Sequence, residues 1–336
     1  MNSPLTQKPT IVGSGKLRYA AETNWCRLPA GEELGEVIGV ATDSHDRVFL
    51  FTRTPNLLRE FDRDGNYLKT WTDVSFVRPH GILIAPDDTL YLTDDEGHTV
   101  RRFTMEGRLL LTLGVSGQPS DTGATSPDYR TVQRGGPPFN YPTNVALSSN
   151  GDIYVSDGYG NARIHRFSPE GRLLHSWGQP GAGPGQFNVP HGIAIDQQGI
   201  VLVADRENSR IQRFTPDGEF FDEWLDVARP CDMFIDPAGR IFVTEIGFRA
   251  GKYYGVVPPN ASGGRVSVFS PKGELLARWG GGADPCAAGD FWSPHDIWID
   301  SRGDFYVGEV NYTTGIRPGK IGPDSHTLQK FTRVST

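Results

Sequence analysis

The sequence predicts an all-β fold, a six-bladed β-propeller, on three observations. A phrase of about 40 residues recurs six times, which is the period of a four-stranded blade. The 336 residues include 41 glycines and 25 prolines, far more turn formers than a helical protein tolerates and suited to many short strands. Histidine occupies one repeat position in every second copy, a pattern that only a closed ring of repeats turns into a cluster.

The copies begin near Val37, Arg78, Tyr141, Val189, Arg229 and Ser293. Most open on an x-Pro pair and an apolar strand. A turn leads to a second strand ending in Asp or Glu, a third ending in Arg-Phe or Val-Phe, a Pro-x-Gly type turn, and a fourth ending in Trp or Leu. Gly39 and Gly81 stand 42 residues apart, and Pro190 and Pro230 stand 40 apart. Gly/Pro-rich insertions at 115–139, 247–263 and 281–291 are expected as loops on one face, where such folds place ligand contacts. The sixth copy ends near Thr332 without a fourth strand, and Leu17–Trp25 belongs to no copy. That segment is expected to supply the missing outer strand and close the ring, so that no sheet edge stays open. Residues 1–15 are expected to be a flexible segment and 16–336 a single domain. The seven tryptophans, mostly at fourth-strand ends or in loops, are expected to serve packing.

A formal net charge of −7 argues against nucleic acid or an acidic membrane surface as partner. A small carboxylate-bearing substrate stays compatible, because local arginines override a mildly negative whole. Cys26, Cys231 and Cys286 form neither a paired framework nor C-x-x-C. The polar N-terminus carries no apolar signal core, and no run of about 18 apolar residues occurs. The expectation is a cytoplasmic protein without membrane contact, monomeric or a weak homo-oligomer.

The residue after the repeat's Pro sits on the strand that lines the central channel. In copies one to six it reads Ile38, His80, Thr143, His191, Cys231 and His295. Alternate blades of six lie about 120° apart, so three imidazoles at one height converge on the axis. Three His ligands with an open fourth position describe a catalytic Zn²⁺ site, and Fe²⁺, Co²⁺ or Mn²⁺ suit the same donors. The bland alternative is three buried, hydrogen-bonded histidines plugging the channel. The other five, His45, His98, His165, His175 and His326, are expected on turns or outer strands at the surface.

A second slot, at the end of strand two, faces the same end of the channel. Asp94, Asp157, Asp205 and Glu309 there are expected to brace the blades by accepting backbone amide hydrogen bonds. The neighbouring Arg53, Tyr159 and Arg206 are long polar groups close to the inferred metal. Two guanidiniums suit a carboxylate, which they bind as a bidentate fork. Tyr159 is a candidate general base or acid, its phenolate favoured by nearby positive charge. Pairing of each with a blade acid is the structural alternative.

The phrases PHGI at Pro79–Ile82, VSDGYGNARIHRFSPEG at Val155–Gly171, VPHGIAID at Val189–Asp196, VADRENSRIQRF at Val203–Phe214 and PHDI at Pro294–Ile297 carry a resemblance. Over residues 30–333 the chain resembles the NHL-repeat propellers and, among them, the peptidyl-α-hydroxyglycine α-amidating lyases. The resemblance implies zinc on His80, His191 and His295, with Tyr159, Arg53 and Arg206 as catalytic residues. It also implies a structural Ca²⁺ held by the backbone carbonyls of Val40 and Ile82 and by Asp296, an all-oxygen set that suits this ion. The implied reaction splits an N-acyl-α-hydroxyglycine, a carbinolamide, into an amide and glyoxylate. Gly160 stands where the animal enzymes carry a disulfide cysteine after the Tyr, and Ser293 where a Met precedes PHD. The metal site therefore transfers more firmly than a peptide substrate, and a small N-acyl- or ureido-type hydroxyglycine also fits. The competing expectations are a metal-dependent hydrolase or lactonase, which a lactone panel would distinguish, and a non-catalytic NHL scaffold for protein or peptide.

Overall fold

The second strand of every repeat is a short run of aliphatic and aromatic residues. VFLFTR (Val48–Arg53), LYLTD (Leu90–Asp94), IYVSD (Ile153–Asp157), VLVAD (Val201–Asp205), IFVTE (Ile241–Glu245) and FYVGE (Phe305–Glu309) are buried along their whole length. A strand apolar on both faces belongs in a sheet covered on both sides. The computed structural model, which describes residues 9–334, supplies that cover by packing each sheet between two others.

Six antiparallel sheets form the ring, and their first strands line the axis. These innermost strands are Glu36–Thr42, Pro79–Ile84, Pro142–Leu147, Pro190–Ile195, Pro230–Ile235 and Pro294–Ile299. Outermost strands such as Leu109–Gly114 and Leu173–Trp177 are largely exposed. Among the described residues the apolar core falls into six clusters, one in each gap between neighbouring blades. Trp71, Trp177, Trp224 and Trp279, at the ends of fourth strands, belong to these clusters.

The ring closes through the N-terminus, as the unpaired segment predicts. Leu17–Glu22 pairs antiparallel with Leu328–Arg333, setting Tyr19 opposite Arg333 and Glu22 opposite Lys330. Blade 6 gains a fifth strand as well. Thr10–Ser14, within the stretch expected to be flexible, pairs with Leu17–Glu22 as the outermost strand of that sheet. Gly13 and Gly15, both at positive φ, make the tight return possible. The start of the 1–15 segment lies outside the described residues.

In blades 2 to 6 the acid at the end of strand two braces the blade. Asp94 accepts the backbone N–H of Val77, Arg78 and Gly97. Asp157 accepts that of Asn140, Asp205 that of Asn188, and Glu309 those of Trp292 and Ser293. Each buried carboxylate thus ties a blade's entry loop to its second strand with charge-assisted hydrogen bonds.

Tyr19 is the closing strand's main anchor. It is 2 % exposed and sits edge-on to Phe305 at 4.7 Å, with Trp279 at 6.1 Å. Tyr19→Ala is expected to lower stability by about 3–5 kcal/mol, the cost of emptying a large aromatic site. Urea denaturation measures it, and a loss under about 1 kcal/mol would show that the N-terminal strand does not secure the ring.

Candidate metal centre and active site

Every innermost strand has a register irregularity at its channel end, where the slot residue lies. An extra residue on one strand bends the chain and re-aims a side chain. Here the irregularities coincide with His80, His191 and His295, whose rings meet in the channel. Their centroids lie 4.8, 4.9 and 4.7 Å apart, a nearly equilateral triangle. Candidate ligand atoms of the three lie within 4.8 Å of one another, and all three residues are buried.

Each imidazole is held by the next blade. His80 Nδ1 donates to the Thr143 carbonyl at 2.7 Å, His191 Nδ1 to Cys231 at 2.9 Å, and His295 Nδ1 to Ile38 at 2.9 Å. These acceptors are the same slot in the three blades without histidine. A carbonyl can only accept, so Nδ1 carries the proton and the Nε2 lone pair is left for the channel. Burial first, then neighbouring cations and imidazoles, keeps all three well below the usual imidazole range.

Three buried lone pairs now face one point. Among the described residues the one hydroxyl hydrogen-bonded there is Tyr159 Oη, 3.2 Å from His80 Nε2 and 3.0 Å from His191 Nε2. One hydroxyl proton serves one of them. A divalent cation with nitrogen preference serves all three at once, so the residues present fit a metal. Cys231, in the blade 5 slot, is not a competing thiolate, because burial pushes its thiol up to about 12.

The structure apportions the polar residues around this point. Arg206 Nη1 donates to Tyr159 Oη at 3.0 Å, while its Nε donates to Glu207 at 2.8 Å. Arg53 does not reach Tyr159. Its Nε donates to the Pro79 carbonyl at 2.7 Å, and its Nη2 meets Asp95 Oδ2 at 3.3 Å. Burial, against the pull of Arg78 and Arg53, pushes Asp95 up to about 6. Above the histidines opens a cavity of about 570 Å³ whose lining includes Arg53, Tyr159, Arg206, Cys231 and His295.

One residue further along each innermost strand lies a second level, rich in oxygen. It reads Gly39, Gly81, Asn144, Gly192, Asp232 and Asp296. The glycines make room for their polar neighbours. A Cβ on Gly81 would stand 2.7 Å from Asn144 Oδ1, and one on Gly192 2.7 Å from Asp232 Oδ1. A Cβ on Gly39 would stand 2.7 Å from Ile82 Cγ2 and 3.1 Å from both Asp296 Oδ2 and the His80 carbonyl oxygen. Val40, Ile82 and Asp296, the residues of the expected calcium site, are thus neighbours around Gly39. Asp296 faces Asp232, a second carboxylate that sequence reasoning passed over. Both acids are raised by burial, and Asp296 further by the Asp232 charge.

Other expectations change. His98 and His165 are buried rather than superficial. His165 reaches Ser176 and Asp157, and His98 accepts the Tyr141 N–H. His326 pairs with Glu309 at 2.9 Å, its side chain 7 % exposed. These three pack against the bracing machinery, while His45 and His175 are exposed as expected. The insertions at 115–139 and 247–263 do reach the cavity, through Ser126–Tyr129 and Gly251–Tyr254. The third, 281–291, packs outward, with Gly289 against Val12 of the outermost strand. In its place Thr313 and Thr314, on the turn Tyr312–Ile316, line the cavity. Arg78 also lines it. The sequence marks it only as the start of a repeat, directly before the Pro79-His80 pair.

A family model for the NHL repeat matches residues 139–167 and 187–214. The human NHL repeat-containing protein 3 is 30% identical over 314 residues, covering 88% of this chain and 82% of that one. The peptidyl-alpha-hydroxyglycine alpha-amidating lyase 1 of Drosophila melanogaster is 31% identical over 346 residues, covering 87% of this chain and 58% of its own length. Among solved structures, a gluconolactonase of Xanthomonas campestris superposes with a TM-score of 0.62 at 12% identity, covering 97% and 95% of the two chains, which is a likeness of fold alone.

Metal content tests the centre directly. The purified protein is expected to carry about one divalent transition metal per chain. His191→Ala is expected to lose it while keeping the β-sheet spectrum, as read by elemental analysis and circular dichroism.

Proposed function

Taking as premise that the chain belongs to the NHL-repeat family of six-bladed propellers, we propose that it is a zinc-dependent carbon–nitrogen lyase. Its substrate class is the N-acyl-α-hydroxyglycine carbinolamides, and its products are an amide and glyoxylate. The observation that carries this reading is Tyr159 Oη, within 3.2 Å of two of three converging histidines and 3.0 Å from Arg206. The similarity to amidating lyases over most of the chain supports it.

His80, His191 and His295 hold the ion, and when bound it supplies Lewis acidity toward the substrate's α-hydroxyl. Tyr159 Oη takes the hydroxyl proton. The C–O electrons form the aldehyde carbonyl as the C–N bond breaks, and the proton ends on the departing amide nitrogen. Arg206 keeps the Tyr159 oxygen in place and balances the negative charge it carries during transfer. Arg53, anchored at Pro79 and Asp95, faces the cavity and pairs with the substrate carboxylate. No water is consumed, which separates this chemistry from hydrolysis.

The oxygen level fits a second, structural cation, and calcium is the ion we assign to it. Asp296 and Asp232, both buried, oppose each other, and an oxygen-ligated divalent ion relieves that opposition. Asp296→Asn removes one charge. The metal-free variant is expected to melt at or above the wild-type temperature, and calcium is expected to raise the midpoint of the wild type only. Calorimetry with and without EDTA decides this, and equal calcium responses would exclude Asp296 as a ligand.

Incubation of the zinc-loaded protein with α-hydroxyhippurate is expected to release glyoxylate and benzamide. Tyr159→Phe is expected to cut kcat by about 10²–10⁴-fold, the usual worth of a general base, with zinc content unchanged. An absence of glyoxylate from the metal-replete wild type would refute this substrate class.

A further inference from the structure

We propose that Arg78 is a specificity-determining residue of this site: with Arg53 it forms a two-guanidinium clamp for the substrate carboxylate, set from behind by Asp95. This inference rests on the lyase reading and adds a residue to it.

The charge of the cavity comes first. The chain has a net charge of −7, yet the cavity is lined by Arg53, Arg78, Arg206, Arg229 and Lys252 against Asp128 and Glu207. Asp128 is already paired with Arg130. Glu207 is shared by Arg206 and Arg229, at 2.8 and 2.9 Å. The concave surface is therefore cationic within an anionic protein, which favours an anionic ligand.

Hydrogen bonding then separates the arginines. Arg229 is 1 % exposed, and besides Glu207 it donates to the carbonyls of Gly247, Ala250 and Lys252. It staples the 247–263 insertion to the ring. Arg206 is committed to Glu207 and Tyr159. Arg53 has two of its nitrogens engaged. Arg78 uses Nη1 alone, at 3.2 Å from Asp95 and 3.7 Å from Glu96. Among the described residues no acceptor meets its Nε or Nη2. Its side chain is 30 % exposed, the most open of the four guanidiniums.

Asp95 joins the two candidates. Its Oδ2 lies 3.3 Å from Arg53 Nη2 and 3.2 Å from Arg78 Nη1, and its side chain is fully buried. One buried carboxylate thus fixes two guanidiniums side by side, and the other acid near them, Glu96, is 44 % exposed and stands 3.7 Å from Arg78, too solvated to cancel the second charge. Arg78 also lies 5.8 Å from the centre of the Tyr159 ring, beside the proposed reacting atoms. A carboxylate seated on this pair holds the α-carbon close to Tyr159.

The test uses the metal-loaded full chain and two readouts. Hippurate keeps the acyl group and carboxylate and lacks the α-hydroxyl, so calorimetry follows its binding without turnover. Wild type is expected to bind it, and Arg78→Gln to bind it about 10- to 100-fold more weakly, the range for losing a hydrogen bond to a charged group. Arg78→Lys is expected to restore part of the loss, and hippuramide, which has no carboxylate, to bind both proteins alike. In turnover of α-hydroxyhippurate the loss is expected in KM more than in kcat. Equal hippurate affinity in wild type and Arg78→Gln, or no binding by wild type, overturns the proposal. Glyoxylate release that ignores Arg78 sinks the clamp and leaves the lyase standing. Binding of hippurate that depends on Arg78, without glyoxylate from any carbinolamide, sinks the lyase and leaves the clamp.

Discussion

The hydrogen bond from each channel histidine to the backbone of the next blade governs the rest of the site. Nδ1 of His80, His191 and His295 meets a carbonyl of Thr143, Cys231 and Ile38 at 2.7–2.9 Å. In water such a bond contributes only about 1 kcal/mol. Its consequence here is larger, because it selects the tautomer and leaves three Nε2 lone pairs without enough protons to satisfy them. It also explains the alternation around the ring. A blade that contributes an imidazole needs a neighbour that contributes a carbonyl at the same height. Isoleucine, threonine and cysteine fill those slots. Thr143 and Ser156 in turn hold the His191 carbonyl at 2.8 and 2.6 Å, so the ligand backbone is as constrained as the ring.

The same bulged strand ends stack two chemistries along one axis. His295 and Asp296 are consecutive, yet one belongs to a nitrogen level and the other to an oxygen level. Nitrogen donors favour a transition metal and oxygen donors a hard cation, so the two levels offer donor sets suited to different ions. Glycine at 39, 81 and 192 is a packing requirement of this arrangement, since a Cβ there would collide with the adjacent blade.

Above both levels the protein changes sign. A net acidic chain concentrates arginine at one mouth of its channel and consumes most of that charge internally. Arg229 and Arg206 spend theirs on Glu207, whereas Arg78 and Arg53 share one buried acid. Each pair has one buried acid, but Arg78 has the most open side chain of the four and the fewest engaged nitrogens, so it is the place where an anionic ligand gains most. The two insertions that reach the cavity form its outer wall, where Tyr129 and Tyr254 lie 6.1 Å apart.

Repetition made the fold legible in the chain itself. Six copies, five with four strand patterns and the last with three, admit little besides a ring, and the orphan Leu17–Trp25 segment named its own place in it. The histidine triangle was legible for the same reason, since equal repeat positions become equal heights on an axis. What a repeat cannot encode is contact between different copies. The Nδ1–carbonyl bonds, the Asp95 bridge and the Asp232–Asp296 opposition all join residues of separate blades, and no spacing along one copy reveals them. Burial of His98 against Tyr141 likewise follows from inter-blade packing, whereas His165 and His326 are buried against Asp157 and Glu309 of their own blades. Local patterning therefore determined the ring and the height of each candidate ligand. Only closure of the ring decided which partners those residues meet, because proximity across blades comes from the circle and not from the chain.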